Sequence, residues 1–255
     1  MKIILTGSTG FAGTEILNQC IAHNYIEHVY VLTRRPLDAK YSHKKVTQIL
    51  HEDFETYPDD LLNRLRDEGV EACIWALGGK TKDLKSLDNS RKVNVNFVAA
   101  AAEAFAKHLA PGLKPYPGYP GTEPKPGVGR FPFRFIYVSA WGAEHNQFRK
   151  LWIGDDDRKL KGAAERAIFS AADDSEEKDG HKCFEAIALR PRGILAGSSE
   201  AIGTIVMQAI IPSVTSGQLA RTAIRTAFDR AKDRKRILEN RDLLGEDWAM
   251  VNSLN

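Results

Sequence analysis

Short runs of β-branched and apolar residues recur along the chain, separated by longer stretches in which apolar residues return every three or four positions. The first pattern fits buried strands and the second fits helices with one apolar stripe. Six strands are predicted, at Lys2–Thr6, His28–Thr33, near Val46–His51, Ala72–Leu77, Arg134–Ser139 and Phe184–Arg190. Ile16, Leu17, Cys20 and Ile21 form the stripe of the first helix, and Phe97, Val98, Ala101, Ala102, Phe105 and Leu109 that of the helix before strand 5. Beyond Gly193 the pattern turns helical, with one helix over Ile202–Ile211, stopped by Pro212, and another from about Gln218 to Asn240. Strands alternating with helices make an α/β fold: a doubly wound, mostly parallel sheet with helices on both faces. The chain reads as a single domain over residues 1–255, its mainly helical part 194–255 completing the substrate side.

Composition narrows this picture. With 255 residues, 43% hydrophobic and 27% charged, the chain is long enough for one large core and too balanced for disorder, a collagen-like repeat or a coiled-coil rod. A formal net charge of +3 does not call for nucleic acid. No apolar run reaches the length of a membrane span, and Met1 and Lys2 lead directly into an apolar segment without signal-peptide layout, so a cytoplasmic protein with no membrane partner is expected. Cys20, Cys73 and Cys183 stand alone in apolar segments and read as reduced core residues; no metal site is expected. Between Pro111 and Pro132 seven prolines and five glycines force a loop insertion, 111–132. The acidic stretch from Asp173 to Asp179 reads as a solvated connector.

The strongest chemical signal is the turn Thr6-Gly7-Ser8-Thr9-Gly10-Phe11-Ala12-Gly13 between the first strand and the first helix. Gly7 permits a tight exit from the strand, Gly10 lets backbone approach a pyrophosphate, and Gly13 lets the helix pack close to the sheet. The helix N-terminus then offers free N–H groups and a positive dipole end. A dinucleotide site carries its ribose-reading residue about 20 residues later. Here strand 2 ends in Thr33-Arg34-Arg35-Pro36. Two guanidinium groups and no acid favour a 2′-phosphate, hence NADP(H) over NAD(H). Asp53 and Phe54, past strand 3, are expected at the adenine edge and face. Ala76, Leu77, Gly78 and Gly79, past strand 4, would let cofactor pass close to backbone.

Together with Val138-Ser139-Ala140-Trp141-Gly142-Ala143, Lys161-Gly162-Ala163-Ala164-Glu165 and Leu189-Arg190-Pro191-Arg192-Gly193, the glycine turn and the arginine pair resemble the short-chain dehydrogenase/reductase superfamily. The nearer resemblance is to its atypical NAD(P)-binding branch, similar to HTATIP2/TIP30-like oxidoreductases, and it covers nearly the whole chain outside the insertion. It implies a Rossmann sheet with the active site at the carboxyl ends of the strands. It also implies a catalytic serine followed by a Tyr-x-x-x-Lys pair. Ser139 and Lys161 match the first and last of these, but Asp157 stands where the tyrosine belongs. The chain's Tyr-x-x-x-Lys, Tyr41 to Lys45, falls just past strand 2. An exposed aspartate is ionised at neutral pH and has no proton to give. Three outcomes stay open: Lys161 works alone as acid and base, as in isoflavone-reductase-like relatives; Asp157 is a tuned acid; or hydride transfer has been abandoned. Ser139 would stabilise negative charge on a carbonyl oxygen, or else cap the following helix. Trp141, Trp152 and Arg192 are the candidate substrate contacts. The reading is an NADP(H)-dependent oxidoreductase on a small carbonyl or alcohol, with a homodimer left open. The alternatives are a redox-neutral isomerase, cyclase or lyase, and a catalytically silent nucleotide-sensing partner.

Overall fold

The computed structural model describes residues 1–113, 132–175, 183–196, 213–229 and 235–244. Seven strands, β1 (Lys2–Thr6), β2 (His28–Thr33), β3 (Val46–Leu50), β4 (Ala72–Trp75), β5 (Phe133–Val138), β6 (Phe184–Arg190) and β9 (Ile237–Glu239), form one sheet in the order β3-β2-β1-β4-β5-β6-β9. Every neighbouring pair is parallel. The short strands β7 (Ile194–Leu195) and β8 (Val214–Thr215) pair separately. The helices are α1 (Phe11–Ala22), α2 (Asp59–Asp67), α3 (Leu87–Arg91), α4 (Phe97–His108), α5 (Asp155–Asp174), α6 (Ser216–Phe228) and α7 (Asn240–Leu244). No helix among the described residues is long and apolar enough to cross a membrane.

Alternation along each strand divides the core in two, because successive side chains point to opposite faces of a sheet. Ile3, Leu5, Val29, Val31, Ile74 and Val138 pack with α1 and α6 on one face. Ile4, Leu32, Trp75, Phe135, Tyr137 and Phe184 pack with α2, α4 and α5 on the other. That second face is aromatic: Phe133 stacks on Phe184 at 5.7 Å and Trp75 on Phe135 at 5.9 Å. The three cysteines are buried in these layers.

The sheet is one strand wider than predicted, and the expected helix Gln218–Asn240 is not one helix. Instead α6 ends at Phe228, and Ile237, Leu238 and Glu239 pair with Ala188, Leu189 and Arg190. Local charge pattern favoured helix there, but ladder pairing with the exposed edge of β6 satisfies more backbone. The predicted helix Ile202–Ile211, most of the insertion 111–132 and the acidic residues beyond Ser175 lie outside the described residues.

Two glycines set how closely the layers approach. Gly7 has φ +70°, and a Cβ there would lie 2.5 Å from the Ala76 carbonyl. A Cβ on Gly162 of α5 would collide with the Glu144 carbonyl, so the glycine is what lets α5 lie against the loop after β5. Gly162→Ala should therefore destabilise the protein by about 1–3 kcal/mol through overpacking. Urea unfolding checks this, and an unchanged midpoint would show that the contact relaxes freely.

Candidate functional site at the carboxyl edge of the sheet

The carboxyl ends of β1, β2, β4, β5 and β6 open on one edge, where the glycine turn, the arginine pair, Gly78, Gly79 and Ser139 directly follow their strands. At its near end the glycine turn leads into α1. Gly10 occupies the N-cap with no side-chain cap, and the first turn of the helix holds no acidic residue, so its positive end is uncompensated. Gly13 lies so close to Gly7 that a Cβ would strike the Gly7 carbonyl. Ser8 is buried, yet its hydroxyl has no hydrogen-bond partner among the described residues. A cradle closed to side chains, a bare helix N-terminus and an orphaned hydroxyl fit a bound phosphate group. Arg34 and Arg35 are exposed just past β2; no ion pair or side-chain hydrogen bond occupies either guanidinium among the described residues.

Past β3 the two residues differ in placement. Asp53 is exposed beside the edge, its carboxyl held below its ordinary range chiefly by the Glu55 backbone N–H. Phe54, expected on an adenine face, is instead a core residue at 1% exposure, with its ring against His51, Trp75 and Phe97. A large apolar ring gains more from the aromatic layer than from a solvent-facing cleft. Past β4, Gly78 and Gly79 are fastened from below by Asn94. Its Oδ1 accepts from Gly79 N at 3.2 Å, and its Nδ2 donates to the Gly79 and Ser90 carbonyls at 2.9 and 3.0 Å. Asn94 is buried in the π-helical turn Lys92–Asn96, a distortion that places its amide under the loop.

The chemistry gathers on α5, where Asp157, Lys161 and Glu165 recur at helical spacing on one face. Asp157, the tyrosine replacement, is turned away toward the loop after β4: its Oδ1 accepts from Thr81 N at 2.8 Å and from Thr81 Oγ1 at 2.5 Å. It positions a loop. The Lys161 ammonium donates to the Val138 carbonyl at 3.2 Å, lies 4.9 Å over the Tyr137 ring, and is 3.3 Å from where a Cβ on Gly78 would be. Burial pushes its pKa down to about 8, against the opposing charges of Glu165 and Asp157. Lys161 thus lies between the loop after β4 and the end of β5.

Glu165 was not singled out by sequence as a site residue, yet it is the hub. It is fully buried, and Ser139 Oγ donates to its Oε1 at 2.6 Å. Arg190 grips it with two nitrogens at 2.8 and 2.5 Å, and His145 Nε2 lies 2.6 Å from Oε2. Arg190 continues to Glu239 of β9 at 3.0 Å. Burial alone would raise the Glu165 pKa, but its hydrogen bonds from Arg190, Ser139 and His145 with the Arg190 charge hold it below the ordinary value. Ser139 caps no helix, since the loop Ala140–Gly154 intervenes before α5. The signal that could have found Glu165 was its place one turn after Lys161.

Of the candidate substrate contacts, Trp141 is half exposed two residues past β5, and the Arg192 guanidinium lies 4.4 Å over its ring. Trp152 is fully exposed. Lys45, from the loop Tyr41–Lys45, donates to the Ile21 and His23 carbonyls and serves the end of α1.

No protein-family model matches the chain. It is 26% identical over 214 residues to the leucinostatins biosynthesis cluster protein T of Purpureocillium lilacinum, covering 79% of this chain and 68% of that protein. Among solved structures, MoeE5 in complex with UDP-glucose and NAD shares a TM-score of 0.61 at 14% identity, covering 94% of this chain and 75% of its own. The yeast methylglyoxal/isovaleraldehyde reductase Gre2 complexed with NADPH gives 0.60 at 12% identity, covering 90% and 75%. The likeness is one of fold: a parallel-sheet, Rossmann-like α/β architecture.

Because its folded pKa is lowered, Glu165 contributes stability that is present above the ordinary carboxylate range and lost as pH falls toward the folded value. Glu165→Gln should flatten the acid limb of a stability-against-pH curve. Glu165→Ala, which leaves Arg190 with Glu239 alone and takes the acceptor from Ser139, should cost about 3–5 kcal/mol at neutral pH. An unaltered acid limb in the glutamine variant would remove the carboxylate from the account.

Proposed function

We propose that the protein is an atypical short-chain dehydrogenase/reductase that binds NADP(H) and interconverts a small carbonyl compound and its alcohol. The observation that carries this reading is Lys161: an ammonium with its pKa near 8 set between the Gly78 loop and the end of β5, on the same edge as the glycine turn. The bare N-terminus of α1 would receive the pyrophosphate, and Arg34 and Arg35 the 2′-phosphate. Gly78 and Gly79, clamped by Asn94, leave a backbone surface close enough for the ring end of the nucleotide to lie against. Similarity to a reductase that binds NADPH agrees with this assignment.

The nicotinamide, when bound, supplies or accepts the hydride at the substrate carbon. Lys161 donates the proton from Nζ to the oxygen in the reducing direction and takes it back in the other, a task suited to a group titrating near the working pH. Asp157 has its accepting oxygen engaged by Thr81 and holds the β4 loop against α5 instead of supplying a proton. Ser139 donates its hydroxyl hydrogen bond to Glu165, which fixes the hydroxyl and leaves its lone pairs for a ligand hydroxyl.

Calorimetry should show NADPH binding at least roughly tenfold more tightly than NADH, with the preference lost in Arg34→Ala/Arg35→Ala. Equal affinities in the unmodified protein would end the NADP assignment, and binding of neither nucleotide would favour a silent partner protein. In NADPH-linked reduction, kcat/KM should fall as pH rises through about 8, where Lys161 loses its proton. Lys161→Met should cost about 10²–10⁴-fold, whereas Asp157→Asn should keep the alkaline limb. Product formed with no change in NADPH absorbance would point to redox-neutral chemistry on the same residues.

A further inference from the structure

The loops after β5 and β6 are zipped together where they leave the sheet: Ser139 N donates to the Leu189 carbonyl at 2.8 Å and Trp141 N to the Pro191 carbonyl at 2.9 Å. This brings Trp141 beside Arg192. The Arg192 guanidinium stands 4.4 Å over the indole and that of Arg158, from the first turn of α5, 5.7 Å over it. The arrangement is built rather than incidental. Gly142 takes a left-handed φ of +68°, and a Cβ there would lie 2.9 Å from the Arg158 guanidinium nitrogens Nε and Nη2. Arg158 Nε in turn donates to the Gly142 carbonyl at 2.6 Å. Asn240, itself buried, fixes the backbone N–H of Arg192 at 2.8 Å.

The neighbouring acids are already matched to other cations. Glu144 pairs with Arg149 at 3.2 Å, Asp155 with Lys159 at 2.8 Å, and Glu239 with Arg190 at 3.0 Å. Arg158 feels Glu144 and Asp155 only through space. Neither Arg158 nor Arg192 has a carboxylate within ion-pair distance among the described residues, and Arg192 is exposed with its guanidinium over the indole. A guanidinium pre-oriented on an aromatic face, its donors unspent, is suited to an oxyanion.

We infer that the substrate carries an oxyanionic group, a carboxylate or a phosphate, which Arg192 and Arg158 hold over Trp141 beside the reacting centre. The inference rests on the oxidoreductase reading for its place next to Lys161, but the anion subsite itself does not need the nucleotide.

The test measures equilibrium binding of three probes of similar size: benzoylformate, phenyl phosphate and the neutral methyl benzoylformate, each titrated calorimetrically with and without saturating NADP⁺. One or both anions should bind at least roughly tenfold more tightly than the ester, as loss of a charged hydrogen bond implies. The better anion identifies carboxylate or phosphate. Arg192→Met, which keeps the packing on the indole, should cancel the preference, and Arg158→Met should weaken it. Circular dichroism and NADP⁺ affinity serve as controls that each variant is folded. Equal binding of ester and anions, no binding of any probe, or a preference that survives Arg192→Met would overturn the inference. Failure of NADP⁺ to bind while the anions still do would instead count against the oxidoreductase reading alone.

Discussion

A fully buried carboxylate must be surrounded by donors or it loses its charge, and Glu165 meets that demand with groups from separate parts of the fold. Ser139 comes from the end of β5, His145 from the following loop, and Arg190 from the end of β6. Through Glu239 the same arginine reaches β9, the strand that closes the sheet. One helix position thus dictates the relative placement of two strand ends and an edge strand. The site can form only where that network does. Desolvating such a pair is costly, and its retention here is most simply explained by the geometry it imposes on Ser139 and on the two loops that carry Trp141 and Arg192.

A second constraint is steric. Gly7, Gly13, Gly78 and Gly162 stand where backbone meets backbone or a functional side chain, and added methyl groups would clash. The first two shape the turn into α1, while Gly162 sets the depth of α5. Since Lys161 directly precedes Gly162, close approach of the helix also presses the ammonium against Val138 and the Tyr137 ring, where burial lowers its pKa. Packing and acid–base character follow from the same glycine.

Much of this was legible in the chain. Strands β1, β2 and β6 fall on their predicted residues because their apolar runs end abruptly at glycines or polar turns. The seventh strand was hidden: Ile237–Glu239 is three residues long amid charges, and only the edge of β6 makes it a strand. Phe54 was misplaced because its position in the sequence points to the nucleotide edge, while its ring is captured by the aromatic layer. The glycine cradle, the arginine pair and Lys161 were visible as spacing. Hydrogen bonds across the fold were not, and so the turn of Asp157 toward Thr81, the clamp of Asn94 and the hub at Glu165 emerged only in three dimensions.

On the proposed function, the edge running from the glycine turn to Lys161 is a single nucleotide site, with the proton-handling group at its far end. A crystal structure of the protein with NADP⁺ tests this directly. The account predicts the pyrophosphate at the N-terminus of α1, the 2′-phosphate against Arg34 and Arg35, and the nicotinamide ribose beside Lys161 and Gly78. A nucleotide bound elsewhere, or one whose nicotinamide end lies away from Lys161, would contradict it.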